Sequence, residues 1–337
     1  MISALFNFFQ PFDPHKQRFP ASDSTWMPRS SSVNAPFIDW LYFLIYWIGV
    51  VSAVAIFVAM AYLAIKYRAP ERSSKDKPIT NVSTHNTTLE ISWSIAPLII
   101  VVAIFVWGFK GFVDLRSPPK GAYEIQTVGQ KWSWSFTYPN GYSDNELHVP
   151  VHKPVRLVIS SVDVLHSVWI PNFRVKMDAV PGRYTDLWFE ATEVGEFPLE
   201  CTEYCGTDHS GMLTRVVVHT PEDFEAWMRE AQKPPTLPDG SPDYPAWGEK
   251  LYKKKACGTC HTTDGSKLIG PSFKGVWGAK EQTSGGEVTV DENYVRESLF
   301  DPQAKIVNGY PNSMPTFKGQ LNDQEIAAII AFLKGLK

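Results

Sequence analysis

Two long apolar runs, then a change of rhythm, divide this chain. Trp40 to Ile65 is 26 residues without a charge, and Ile91 to Phe109 adds another 19. Each is long enough to cross a bilayer as a helix. Neither has the form of a cleaved signal: the first is too long and starts too far in, and the second lacks a small-residue cleavage site. From Ala122 to about Thr220 the apolar runs shorten to YEIQTVGQ, VRLVISSVDV, TDLWFEAT and LTRVVVHT, separated by Pro and Gly turns. Strands at that spacing predict a sandwich or Greek-key barrel. PEDFEAWMREA then predicts a short helix, and the Pro-rich KPPTLPDGSPDYP a semi-extended spacer. In the closing LNDQEIAAIIAFLKGLK, Ile326, Ile329, Ile330 and Leu333 repeat at i, i+3, i+4, i+7, behind a variant capping box of Asn322 and Glu325. Residues 1–36, rich in Pro and Ser with clusters of Phe, predict no regular element.

The pattern gives five segments: an N-terminal stretch over 1–36, a helical hairpin over 37–113, a β domain over 120–220, a helix and linker over 221–244, and a final domain over 245–337. Charge orients the hairpin. Lys66, Arg68, Arg72, Lys75 and Lys77 lie between the two runs, with Arg29 alone near the start of the first. Positive-inside reasoning puts that loop in the cytoplasm and both termini outside, although Lys110, Arg116 and Lys120 weaken the contrast. A net charge of −3 leaves no nucleic-acid footprint. The sequence carries neither a Gly-rich phosphate loop nor a hydrolytic triad signature.

All four cysteines fall in two motifs. The first, CTEYCGTDHSGM, packs Cys201, Cys205, His209 and Met212 into twelve residues. Soft ligands at that density point to copper. A single-copper electron-transfer site takes one Cys, two His and a weak Met, so the second Cys is the informative departure. From a loop, Cys205 can aim its sulfur where Cys201 does, and two thiolates can bridge two copper ions. One further imidazole is required, and His166 in SVDVLHSVWIP is the best candidate. The competing reading is a Cys201–Cys205 disulfide in an oxidising compartment, which gives His209 and Met212 no reason to follow.

The second motif, Cys257, Cys260 and His261, is C-x-x-C-H, the signature of covalent c-type haem attachment. A thioredoxin-like dithiol would have no use for the His. After His261 the chain has no other His and a single Met, so elimination makes Met314 the second axial ligand. A Met/His pair raises the haem potential into a range suited to relaying electrons.

The Cys201–Met212 loop, with His166 on an earlier strand, resembles the binuclear CuA centre of subunit II of haem-copper cytochrome c oxidases. The β domain is similar to a cupredoxin. The segment around Gly248, Leu251, Tyr252, the haem motif and LIGP resembles class I cytochromes c. In that order the whole resembles the fused subunit II of caa-type oxidases. The implied fold class is multidomain: a two-helix transmembrane hairpin, an all-β cupredoxin Greek-key domain and an all-α cytochrome c domain.

The resemblance implies more about individual residues. The backbone carbonyl of Glu203 would ligate copper and its carboxylate a magnesium ion at the boundary with subunit I, hard oxygen suiting that metal. The carbonyl of Pro271 would accept the His261 ring N–H. Trp132, in KWSWSFTY, would lie between the haem and copper; alternation of Trp132, Trp134 and Phe136 as strand core and surface explains the same run. Gln130, Lys131 and Ser133 depart from the family's commoner His, Gln and aromatic, making Lys131 a candidate for direct contact with the haem domain. Glu90 would sit near the mouth of a proton channel in subunit I, or equally serve as a first-turn carboxylate favoured by the helix dipole.

The cofactors implied are two copper ions, one haem c and magnesium. The partners are the catalytic haem-copper subunit I and other oxidase subunits, an external donor such as a cytochrome c or another periplasmic carrier, and the lipid bilayer. The expected location is the bacterial cell membrane, with the soluble domains on the periplasmic side. An electron-delivery subunit of a nitric oxide reductase and a stand-alone copper-binding protein are the competing functions. His148 and His152 read as exposed loop or strand-end residues because Pro150 and Pro154 oppose a helix. His15, His85 and His219 suggest no role.

Overall fold

The computed structural model describes residues 26–68, 85–231 and 233–337. His15 and the loop cations Arg72, Lys75 and Lys77 lie outside the described residues.

The first apolar run becomes helix α1, Ala35–Lys66, and the second α2, Thr87–Arg116. Both overrun their uncharged cores and end on a cation, as the negative end of a helix dipole favours. The start of α2 is fixed by Asn86, whose side chain accepts the Leu89 N–H at 3.1 Å. Within this helical unit Trp40 meets Trp107 edge-to-face at 5.3 Å. The Phe37 ring occupies the space over Gly111, where an added Cβ would come within 2.6 Å of it.

Residues 30–33 and 118–337 form a separate compact unit. Its first part is a sandwich of two five-stranded sheets. One sheet contains β1 (Tyr123–Gln130), β2 (Ser133–Thr137), β3 (Ser143–Asp144), β5 (Pro154–Ser161) and β8 (Thr185–Glu190), in the order β3-β2-β1-β5-β8. The other contains β4 (Leu147–Pro150), β6 (His166–Ile170), β7 (Val175–Ala179), β9 (Gly195–Cys201) and β10 (Leu213–His219), in the order β4-β10-β9-β6-β7. Alternation does the work: on β5, Val155, Leu157 and Ile159 are all fully buried while the residues between them are half-buried. The stretch before α1 joins this sandwich, with Ser31 N–H donating to Asn172 O and Val33 N–H to Glu190 O.

His148 corrects the sequence reading. It is buried on β4, with Nδ1 2.8 Å from His219 Nε2 and its ring stacked at 4.0 Å on Trp227 of helix α3 (Pro221–Glu230). The cause is non-local: β4 pairs in parallel with β10, and α3 then covers both rings. His152 is exposed in a turn, as expected.

The last part is built mainly from helices α4 (Tyr244–Lys254), α5 (Glu292–Phe300) and α6 (Asp323–Gly335). The α6 stripe of Ile326, Ile329, Ile330 and Leu333 packs with Leu251 and Leu299. Asn322 and Glu325 make a complete capping box, with bonds of 2.9 Å in both directions. Gly248 lets α4 and α6 approach closely, since a Cβ there would strike the carbonyl of Ala328. One departure from an all-α domain is the hairpin of β11 (Lys280–Thr283) and β12 (Gly286–Thr289). Its strands are largely exposed and polar, so they lack the apolar alternation that marks a strand.

Candidate metal centre and haem cavity

The β9–β10 loop turns one end of the sandwich into a cluster of soft donors. Cys201 closes β9, Cys205 follows in the loop, His209 opens a short 3-10 turn, and Met212 precedes β10. His166 opens β6, whose Val168 pairs with Cys201, so sheet register brings the imidazole to the loop. The two sulfurs are 3.8 Å apart as free thiols. Cys201 Sγ lies 3.9 Å from His166 Nδ1, and Cys205 Sγ lies 3.4 Å from His209 Nδ1 and 3.7 Å from Met212 Sδ. Cys201 also donates to the Glu203 carbonyl at 3.3 Å, so that oxygen faces the sulfurs. His166 and Met212 are fully buried. Two thiols, two imidazole nitrogens and a thioether, all buried except the half-buried His209, form a donor set that fits copper.

Electrostatics already separate the thiols. Burial opposes ionisation of Cys201, but bonds from His166 and to backbone groups outweigh it and lower its pKa. Burial and the charge on Cys201 together raise the pKa of Cys205. A metal cation reverses that penalty for the second thiol.

The sequence reading missed Asp163. Its Oδ1 is 2.8 Å from His166 Nε2, and its Oδ2 accepts the Lys131 N–H at 2.7 Å. A carboxylate on the far nitrogen fixes the ring so that Nδ1 faces the sulfurs. The available signal was Asp163 three residues before His166, on the strand-start turn.

The second cluster lines an apolar cavity walled by Cys257, Cys260, His261, Phe273, Leu299 and Met314. His261 Nδ1 is 2.8 Å from the Pro271 carbonyl, which directs its proton there and leaves Nε2 free to ligate. The imidazole stacks on Phe273 at 4.4 Å, and Tyr252 donates to the His261 carbonyl at 2.5 Å. Gly270 is required by contact: a Cβ would sit 2.6 Å from the His261 ring. Burial lowers the His261 pKa, keeping the ring neutral as a ligand must be. Paired thiols, an oriented imidazole and one thioether around an apolar cavity fit a covalent haem.

Lys131 and Trp132 belong to the sandwich, yet both line the haem cavity. Trp132 is 8% exposed and sits in the turn between β1 and β2; Trp134 and Phe136 are both buried. Trp134 and Phe136 therefore share the buried face of β2, as strand alternation expects, while Trp132 lies just before the strand. On its other side the indole lies against Gly206, where a Cβ would be 3.2 Å from Cζ2. Glu90 stands in the first turn of α2, its carboxylate accepting the Asn86 N–H at 3.0 Å.

Comparison with known proteins is consistent along the chain. Family models match in three places: "Cytochrome C oxidase subunit II, transmembrane domain" over residues 20–110, its periplasmic domain over 142–220, and "Cytochrome c" over 246–337. Cytochrome c oxidase subunit 2 of Thermostichus vulcanus is 30% identical over 267 residues, covering 63% of this chain and 80% of the relative. The subunit 2 of Alkalihalophilus pseudofirmus is 29% identical over 324 residues, covering 90% of this chain and 89% of the relative. Among solved structures, the periplasmic domain of subunit II of cytochrome oxidase from Bradyrhizobium japonicum is 33% identical and covers 34% of this chain and 97% of its own, with a TM-score of 0.33.

Proposed function

Because this chain belongs to the cytochrome c oxidase subunit II family and carries a fused cytochrome c domain, we propose that it relays electrons from an external donor through haem c to a two-copper centre. Family membership makes it a membrane-anchored subunit of an oxidoreductase complex. When bound, the haem and the copper pair supply the one-electron chemistry that feeds a separate haem-copper subunit, where oxygen is reduced.

Cys257 and Cys260 would anchor the haem, His261 and Met314 would ligate its iron, and Pro271 would hold the His261 ring. His166, Cys201, Cys205, His209, Met212 and the Glu203 carbonyl would hold two copper ions. Cys201, Cys205, His166 and Met212 are buried, which would shield bound copper from water, and a pair of thiolates would supply soft ligation. The Glu203 carboxylate is assigned to magnesium at the subunit I boundary, and Glu90 to the mouth of a proton path. Cationic side chains between the spans support a periplasmic location for the soluble domains of a bacterial cell-membrane protein.

The position of Trp132 is the observation that carries this reading. One indole lines the haem cavity and also packs against Gly206, directly after Cys205. The test is oxygen uptake by the native complex, purified from its own membranes and supplied with a chemical reductant of haem c. Rapid, cyanide-sensitive uptake is expected. Negligible uptake by a copper-replete, haem-containing complex would instead favour nitric oxide as the terminal acceptor.

A further inference from the structure

The haem domain meets the sandwich through buried charge beside the haem cavity, which Lys255 also lines. Asp144 ends β3, and its carboxylate is fully buried. Oδ1 accepts the N–H of Asn145 at 2.8 Å and of Glu146 at 3.3 Å; Oδ2 accepts the Tyr142 hydroxyl at 2.8 Å. The charge on this sandwich residue is matched from the other domain, by Lys254 at the end of α4, which pairs with Asp144 and donates to Tyr142 Oη at 2.7 Å. Its neighbour Lys255 is 8% exposed and donates to Ser143 O in the sandwich and to Gln320 O in the haem domain, each at 3.2 Å. Gln320 Nε2 in turn donates to Gln130 Oε1 at 3.2 Å, and Gln130 is 2% exposed.

This is unlike a transient docking face. Carriers that come and go use exposed charges, which stay hydrated when the partners part and are weakened by salt. Here the Asp144 carboxylate is fully buried, so salt screens its pair with Lys254 little, and opening would break that pair together with the Lys255 and Gln320 bonds. Lys254 and Lys255 also lie three and two residues before Cys257, so the contact adjoins the haem motif.

We propose that Asp144, Lys254, Lys255 and Gln320 form a latch that keeps the haem domain closed on the copper domain throughout turnover, so that Trp132 is not offered to a soluble donor and electrons enter through the haem. The electron route in this statement rests on the function proposed above; the latch itself does not.

The test uses the full chain in its complex, carrying haem and copper, with Asp144→Asn and Lys254→Met. Lys254→Met leaves every contact of Asp144 within the sandwich in place, so it separates latch loss from misfolding. Two readouts are taken: hydrogen exchange of residues 130–137 and 252–257, and the rate of haem-to-copper equilibration after photoreduction at low and high salt. In the wild type the segments should be protected and the rate insensitive to salt. In each variant, exchange should quicken and electron transfer slow by about tenfold or more, with a new salt dependence and an unchanged haem spectrum. The double variant should be no worse than the more severe single, because both remove one interaction. Wild-type exchange and rates in both variants would overturn the latch. If the wild type shows no haem-to-copper transfer, the electron route fails, while the exchange data still decide the latch.

Discussion

Asp163 Oδ1 lies 2.8 Å from Nε2 of His166, and the second oxygen of the same carboxylate holds the Lys131 amide. One side chain thus orients His166, a proposed copper ligand, and the turn that presents Trp132. Asp163→Ala should lower copper affinity by about 10–100-fold, the usual effect of removing such a support. A chelator competition titration measures this directly, and an unchanged affinity would mean the ring is held by other contacts.

Cys205→Ser should convert a two-copper site into a one-copper site. Its sulfur faces Cys201, His209 and Met212 together, and serine supplies no soft bridge. Low-temperature EPR should change from hyperfine lines of two equivalent copper nuclei in the wild type to those of one. A single-copper spectrum in both proteins would remove the binuclear assignment.

Met314→Ala should leave haem covalently bound through Cys257 and Cys260 while its potential falls by on the order of 0.1 V, within the range axial ligands command. Gly270→Ala acts on the opposite face. A Cβ placed 2.6 Å from the His261 ring must push that ligand away from the Pro271 carbonyl. Redox titration and the haem spectrum should shift in both variants, and an unaltered potential in Met314→Ala would require a different sixth ligand.

Acid should loosen helix α3 before it unfolds the sandwich. His148, opposed by burial and assisted by Arg215, holds the Glu146 carboxyl down at about 2. A carboxyl depressed in the folded state adds stability above its unfolded value, and that stability is lost as pH falls from there through about 2. Burial, together with the neighbouring His148, lowers the His219 pKa, so this ring resists protonation in the folded state. Its contribution is complete above the ordinary histidine value and drains as pH falls below it. Both slopes have the same sign. Protection factors over residues 221–230, which correct for the slower intrinsic exchange in acid, should therefore fall between pH 7 and pH 5 through His219 and again below the ordinary carboxyl range through Glu146, and His219→Phe should flatten the first fall.

The copper loop and the haem motif were legible because their ligands are crowded into short stretches of distinctive chemistry. His166 and Met314 were singled out at long range because few residues of the right type compete with them, and the structure brings His166 to the Cys201 sulfur and Met314 to the cavity wall. Asp163 was not found, since an isolated Asp ahead of a strand reads first as a turn residue. The His148–His219 pair was missed for a different reason: it is made by parallel pairing of strands far apart in sequence, which no local pattern encodes. The same holds for Asp144 and Lys254, whose meeting depends on how two folded domains sit against each other. The β11–β12 hairpin escaped because exposed polar strands carry little periodic signal.

The wall of the haem cavity is shared between domains, with Lys131, Trp132 and Ser133 of the sandwich facing Cys257 and Cys260. A bulky macrocycle therefore has to reach the two thiols from a side other than the one these sandwich residues cover.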